Sequence, residues 1–183
     1  MHRAGLTVPV LLLAVLLAPA AAQPASIIPG KAIGPIELGM PLARAREIMT
    51  GFGVVEAYEG ALGHGFCNPE RGVGVCVFDR WTRLNLHSPG VVVFALTDDE
   101  RFATEPGGHK VGGLLLGILR TFGLYSAGMQ TELLWDTHGL SVDIQPSASG
   151  LAVATIGVYA PRASARLPRP APAPAAVTAL KTR

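Results

Sequence analysis

The sequence predicts an α+β fold of two repeated helix-plus-antiparallel-sheet units, with the helices on one face of the sheet. Three observations carry this expectation. Glycine-bounded helical runs occur twice, in residues 33–53 and 111–123. Each is followed by short β-rich segments punctuated by turn residues. The segments also match in order: Gly72, Val73, Val75 and Val77 correspond to Gly139, Leu140, Val142 and Ile144, and residues 91–96 correspond to 153–158. One helix cannot cover both faces of three or four strands. Two such units could join their strands into one sheet, whose other face would then be open to solvent or a partner; the sequence leaves open whether they do.

The chain has 183 residues, 49% hydrophobic and 15% charged, which suits one globular domain or two small subdomains sharing a core. Its start is different in kind. His2 and Arg3 precede an apolar run interrupted only by Thr7 and Pro9, and Ala20 and Ala22 form an A-x-A pattern before Gln23. That is the layout of a cleaved secretory signal over residues 1–22. The apolar run, about 12 residues, is short of the roughly 20 that a membrane helix needs. No cysteine follows the cleavage point, so a lipid anchor is not expected. The predicted organisation is a signal peptide at 1–22, a first unit at 23–106, a second at 107–161 and a tail at 162–183. The expected location is periplasmic or secreted, with no transmembrane segment.

Charge divides the mature chain. Residues 23–161 hold nine Lys/Arg against thirteen Asp/Glu, a net of −4, whereas residues 162–183 hold five Lys/Arg and no acid, a net of +5. A mildly acidic body does not point to nucleic-acid binding. The Pro/Ala-rich basic tail lacks core-forming residues and is predicted to be disordered. It could make weak contact with anionic envelope components.

Within the first unit, residues 23–31 read as an extended arm and Ile36-Glu37-Leu38 as a short strand. Pro41 suits the first helical position. Leu42, Ala45, Ile48, Met49 and Phe52 then recur at helical spacing, and Gly51 and Gly53 are stops. Val73, Val75 and Val77 share a face of a strand that turns back through Arg71-Gly72 to Phe66-Cys67. Residues 80–87 alternate, with Leu84 and Leu86 on one side and Trp81, Arg83, Asn85 and His87 on the other. Residues 91–96 read as a central strand, and Asp98-Asp99-Glu100 as a solvated turn. In the second unit, Leu114, Leu115, Leu116, Ile118, Leu119 and Phe122 predict a short, more buried helix ended by Gly123. Residues 131–135, 140–144 and 151–159 read as three strands.

Cys67 and Cys76 are the two cysteines. In an exported chain a close pair most simply forms one disulfide. Closing so short a loop is worth roughly 2–3 kcal/mol in the chain-entropy model.

The order Leu38-Gly39-Met40, helix, glycine and strands, with Thr104, Gly107 and Val111-Gly112 opening the second unit, resembles exported bacterial proteins built from tandem helix-plus-sheet modules like those of β-lactamase inhibitor protein. The small lipoprotein of the outer-membrane barrel-assembly machine has a related single module. The resemblance covers about residues 27–161 and implies protein binding through a concave sheet face. The lipoprotein's anchor cysteine is missing here, and no inhibitory contact residue can be matched.

Chemistry-bearing patterns are sparse. His64, His87, His109 and His138 stand near no nucleophile signature and no metal-ligand spacing, so neither a cofactor nor a metal is expected. The row Trp81, Arg83, Asn85, His87 is the candidate binding surface, because Trp and Arg are frequent interface anchors; Trp135 is a second candidate. The expected function is a non-enzymatic binding or protein-interaction module with a protein partner. A small hydrolase or metal-dependent enzyme, and an envelope-structural accessory protein, are the alternatives.

Overall fold

A computed structural model describes residues 26–61, 63–70 and 74–162. The signal at 1–22, the turn at Arg71-Gly72 and the tail after Arg162 fall outside these residues. The chain is an α+β protein of two helices and mostly antiparallel strands.

Pro41 places the first helix. Its φ of −57° and extended ψ of 133° make it the residue before the helix, one place earlier than the sequence predicts. Helix α1 is Leu42–Met49 and buries Leu42, Ala45 and Met49 at the expected spacing. Helix α2 is Leu115–Phe122 and buries Leu115, Ile118 and Phe122. Gly123 ends it with φ 78°, a left-handed conformation that a Cβ would disfavour.

The strands in chain order are β1 (Ser26–Ile28), β2 (Ala32–Ile33), β3 (Ile36–Glu37), β4 (Glu56–Gly60), β5 (Gly63–Cys67), β6 (Val75–Trp81), β7 (Leu86–His87), β8 (Phe94–Thr97), β9 (Ala103–Thr104), β10 (Ala127–Met129), β11 (Glu132–Trp135), β12 (Leu140–Ser147) and β13 (Gly150–Tyr159). The large sheet has the order β10-β11-β12-β13-β8-β6-β5-β4, with β7 added beside β6. Every neighbouring pair in it is antiparallel. Its midline joins β8 to β13 through Phe94–Tyr159 and Thr97–Ile156.

One continuous core holds buried residues of both helices together with residues of this sheet. Leu42, Ala45 and Met49 of α1 and Leu115, Ile118 and Phe122 of α2 belong with Val75, Val77, Ala95, Leu133, Trp135, Leu140, Val142, Val153, Ile156 and Val158. Fully burying each Leu, Ile, Val or Met contributes about 1.5–3 kcal/mol, so this layer dominates stability.

A second sheet closes one end of the core, in the order β3-β2-β1-β9. It corrects the reading of residues 23–31 as an arm: β1 pairs antiparallel with β2 and parallel with β9. Ile27, Ile33 and Ile36 are buried there, and Phe102 meets Phe52 edge-on at 6.1 Å. Strand β3 falls where the sequence offers a short strand at Ile36-Glu37-Leu38, whereas β1, β2 and β9 carry too little alternation to be legible in sequence.

Three further readings change. The strand expected over residues 80–87 breaks after Trp81 into a 3₁₀ turn, Thr82–Leu84, closed by Asn85 at φ 50°. Asparagine tolerates that left-handed conformation, and the turn reverses the expected facing of Leu84. Asp99 is fully buried, not solvated, and both its oxygens accept from the Arg101 guanidinium at 2.6–3.0 Å. Burial alone would raise its pKa, but the hydrogen bonds and charge of Arg101 outweigh that and hold it below the usual aspartate value. Finally, β10 adds a strand ahead of β11 that the sequence reading lacks.

Candidate functional site

Alternation along β6 decides what lies on the sheet's other side. Val75 and Val77 enter the helix-side core, so Cys76 and Phe78 leave the opposite face. The β5–β6 register then shifts between His64 and Gly65, where Arg80 opposes His64 and Phe78 opposes Gly65. Asp79 is the extra residue. Such a bulge re-aims the side chains that follow, and Trp81 comes back to the same side as Phe78, with ring centroids 4.6 Å apart.

An aromatic cluster results. Trp81 stacks on Phe94 at 4.5 Å and 21°, and Tyr58 meets Phe78 edge-on at 5.5 Å. Phe94 can lie across β13 because residue 157 is glycine; a Cβ there would stand 2.7 Å from the ring. Leu84, Leu134 and Tyr159 complete the buried part. The Tyr159 hydroxyl donates to Asp136 Oδ1 at 3.0 Å, and burial together with that carboxylate pushes its pKa far up. The opposite face is therefore not bare. It carries its own small core, flanked by a groove.

The groove has a volume of about 380 Å³. Tyr58, Phe78 and Trp81 give it an aromatic wall, Cys67, Cys76 and Leu96 an apolar one, and Arg83, Thr131 and Asp143 a polar rim. Cys67 and Cys76 are joined in a disulfide, with Cα atoms 4.1 Å apart in register across β5 and β6. Neither is a thiolate. Arg83 reaches from the 3₁₀ turn to Glu132 Oε2 at 3.1 Å, and lies 4.0 Å from Asp143 Oδ1. Glu132 also accepts from Ser141 Oγ at 2.6 Å, and Asp143 from Thr155 Oγ1 at 3.0 Å. These acids are held in place by hydrogen bonds, while Arg83 stays a third exposed.

One polar atom breaks the pattern. Trp81 is 5% exposed, and its buried Nε1 has no acceptor among the described residues. Leaving such a donor unpaired costs about 1–3 kcal/mol.

The residues singled out in the sequence are thus partly reunited. Trp81 and Arg83 line one groove, although Trp81 is buried and not an exposed anchor. Asn85 and His87 are exposed, Asn85 in the turn and His87 on β7, and neither lines the groove. Trp135 is in the helix-side core, 1% exposed, and its Nε1 donates to the Gly123 carbonyl at 2.9 Å. Sequence reasoning missed Tyr58, Leu96, Thr131 and Asp143 as lining of the Trp81 groove, and Glu132 as the partner of Arg83. Only the alternation of Ser141, Asp143 and Gln145 with Leu140, Val142 and Ile144 marked β12 as having a polar face.

Among the histidines, His109 Nε2 lies 2.7 Å from Thr121 Oγ1, and its burial lowers its pKa. His138 packs edge-on to Phe122 at 5.3 Å. Among the described residues, no group of three His, Cys, Asp or Glu side chains could hold a metal ion. No described helix is long and apolar enough to cross a membrane.

No family model matches this chain, and no curated protein matches it. Among solved structures, the chain is similar to the uncharacterized protein yfeY from Escherichia coli, with a TM-score of 0.46 and 10% sequence identity over 72% of this chain and 98% of that one.

Proposed function

We propose that this chain is an exported, non-enzymatic binding module of the bacterial periplasm or exterior, which engages a protein partner through the groove between Trp81 and Arg83. The observation that carries the reading is the buried Nε1 of Trp81, which has no acceptor among the described residues. A partner that inserts a carbonyl oxygen there would remove a desolvation penalty the free protein bears. The aromatic wall and partly exposed Arg83 are of the residue types enriched in interface hot spots. Export is supported by the signal-like pattern of residues 1–22 and by the formed disulfide.

The architecture that goes with this reading is a repeat similar to the tandem modules of β-lactamase inhibitor protein. Two features support it. Helix α1 precedes β4, β5, β6 and β8, as α2 precedes β10, β11, β12 and β13, and the last strand of each set meets the other at the sheet's midline.

The test is crosslinking and pull-down from the native envelope with the wild type and with Trp81→Phe/Arg83→Ala. Trp81→Phe keeps an aromatic ring against Phe94 but removes the donor. Loss of the captured partner, at a temperature where both proteins are folded and with the disulfide retained, is the expected result. Undiminished capture would remove this face from consideration.

A further inference from the structure

The β6 bulge has a second consequence, on the helix side. Asp79, the extra residue, is 7% exposed. Both its oxygens are used: Oδ2 accepts from Gly90 N at 2.9 Å and Oδ1 lies 2.7 Å from His64 Nδ1. Burial alone would raise its pKa, but these hydrogen bonds and the nearby His64 and His87 hold it below the usual aspartate value, so it is ionised. His64 and Asp79 line a cleft of about 680 Å³ between α1 and β5, together with Arg46, Glu47, Thr50 and Phe66.

The charged groups of this cleft differ in how they are engaged. Glu47 is paired with Arg44 at 2.8 Å, and each Asp79 oxygen already has one hydrogen-bond partner. The Thr50 hydroxyl donates to the Glu47 carbonyl at 2.6 Å. Arg46 has no carboxylate partner among the described residues. Its guanidinium instead lies over the Phe66 ring, 4.9 Å from the centroid, an arrangement that holds the fork without consuming its donors. The other nitrogen of His64, Nε2, also has no partner among the described residues.

We propose that this cleft is a binding site for a small organic monoanion, a carboxylate with an apolar body. The carboxylate accepts from the Arg46 fork, while the body lies on Pro41, Leu42, Ala43 and Phe66. A single negative charge is favoured, because Glu47 and Asp79 already line the cleft, and among the described residues Arg46 is its one cation without an ion-pair partner. A dianionic phosphate would face both acids with the same lone guanidinium. A cleft of this volume is within the range of small-molecule sites. The site is on the helix side of the sheet and is independent of the Trp81 groove.

The experiment is an NMR titration of the disulfide-intact protein with octanoate, following the His64 imidazole and Phe66 ring signals, with 1-octanol and octyl phosphate as comparators. Octanoate is expected to shift both sets of signals saturably, and more tightly than either comparator. Arg46→Gln, a substitution on the exposed helix face, should weaken octanoate by about tenfold, the loss of a charge-assisted pair. Arg46→Lys should fall between, because it keeps the charge but loses the fork. Equal binding of octanol, unchanged affinity in Arg46→Gln, or no saturable shift of His64 and Phe66 would each overturn the proposal. Preference for octyl phosphate would overturn the monoanion assignment.

Discussion

Replacing Arg83 by leucine should expose how the polar rim of the Trp81 groove is held. Glu132 is the buried partner, with a side chain 2% exposed, and it depends on two donors: Arg83 at 3.1 Å and Ser141 at 2.6 Å. In Arg83→Leu only the serine remains, and Asp143, formerly 4.0 Å from the same guanidinium nitrogen, no longer has that cation beside it. Breaking a fully buried pair costs about 3–5 kcal/mol. Arg83 is 33% exposed, so water can partly replace it and the cost is reduced to about 2–3 kcal/mol. For a domain of this size that is a fall of roughly 5–10 °C in melting temperature. The double variant Arg83→Leu/Glu132→Leu removes donor and acceptor together and should come back to within about 1 kcal/mol of the wild type. Urea unfolding of the four proteins in the cycle measures both numbers. A loss under about 0.5 kcal/mol in the single variant, or a double variant as unstable as the two singles added, would refute the reasoning. The result also sets the conditions for the capture experiment, because Arg83→Ala must be compared where the fold is intact.

Reduction should yield two free thiols by mass after alkylation, and Cys67→Ser/Cys76→Ser should lower stability by about 2–3 kcal/mol in urea; two alkylatable thiols in unreduced exported protein would contradict the bond. Asp99→Asn should destabilise the protein at neutral pH by about 1–2 kcal/mol. The native pKa of Asp99 is below its ordinary 3.8, so its contribution is present above that value and fades as pH falls through the native pKa. The gap in urea between the Asp99→Asn variant and the wild type should therefore narrow below about pH 4, and a constant gap would count against an ionised, paired Asp99. Gly157→Ala should cost about 1–3 kcal/mol by driving a methyl into the Phe94 ring, and should disturb the near-UV signal of the Trp81–Phe94 stack; an unchanged spectrum and stability would mean that the ring does not cross β13 there.

What was legible in the sequence follows the length of each pattern. Both helices could be read because Leu42, Ala45 and Met49, and Leu115, Ile118 and Phe122, repeat over two turns between Pro or Gly signals. Strand β12 could be read from the alternation of Leu140, Val142 and Ile144 with Ser141 and Asp143, and β11 and β13 from β-rich runs bounded by turn residues. Strands β1, β2 and β9 are shorter than any period, and β3 showed only as Ile36 and Leu38 flanking Glu37. The Trp81, Arg83, Asn85, His87 row failed for a different reason. Strict alternation assumes an unbroken strand, and the 3₁₀ turn at Thr82–Leu84, closed by the left-handed Asn85, breaks it. Trp135 shares its face with Leu133, and the period alone could not say which face met the helices. The His64–Asp79 pair was invisible because only the register shift between β5 and β6 brings these residues together.

The same bulge thus organises both sides of the sheet. Without Asp79 as an extra residue, strict alternation would put Trp81 on the side of Val75 and Val77, against the helix layer, and Phe78 would have no aromatic neighbour from its own strand. With it, Trp81 joins Phe78 and Phe94 on the far face, and Asp79 is turned towards His64 and the loop at Gly90. Burying that carboxylate is costly in itself, and two hydrogen bonds offset the cost. The disulfide sits on the same strand pair, two residues beyond Gly65 on β5 and two before Phe78 on β6. It ties β5 to β6 on one side of the register shift, as the His64–Asp79 bond ties them at the shift itself. A slip of one residue would separate both links and turn the aromatic cluster inside out. The two links therefore defend one register, and the register is what creates both the groove and the cleft.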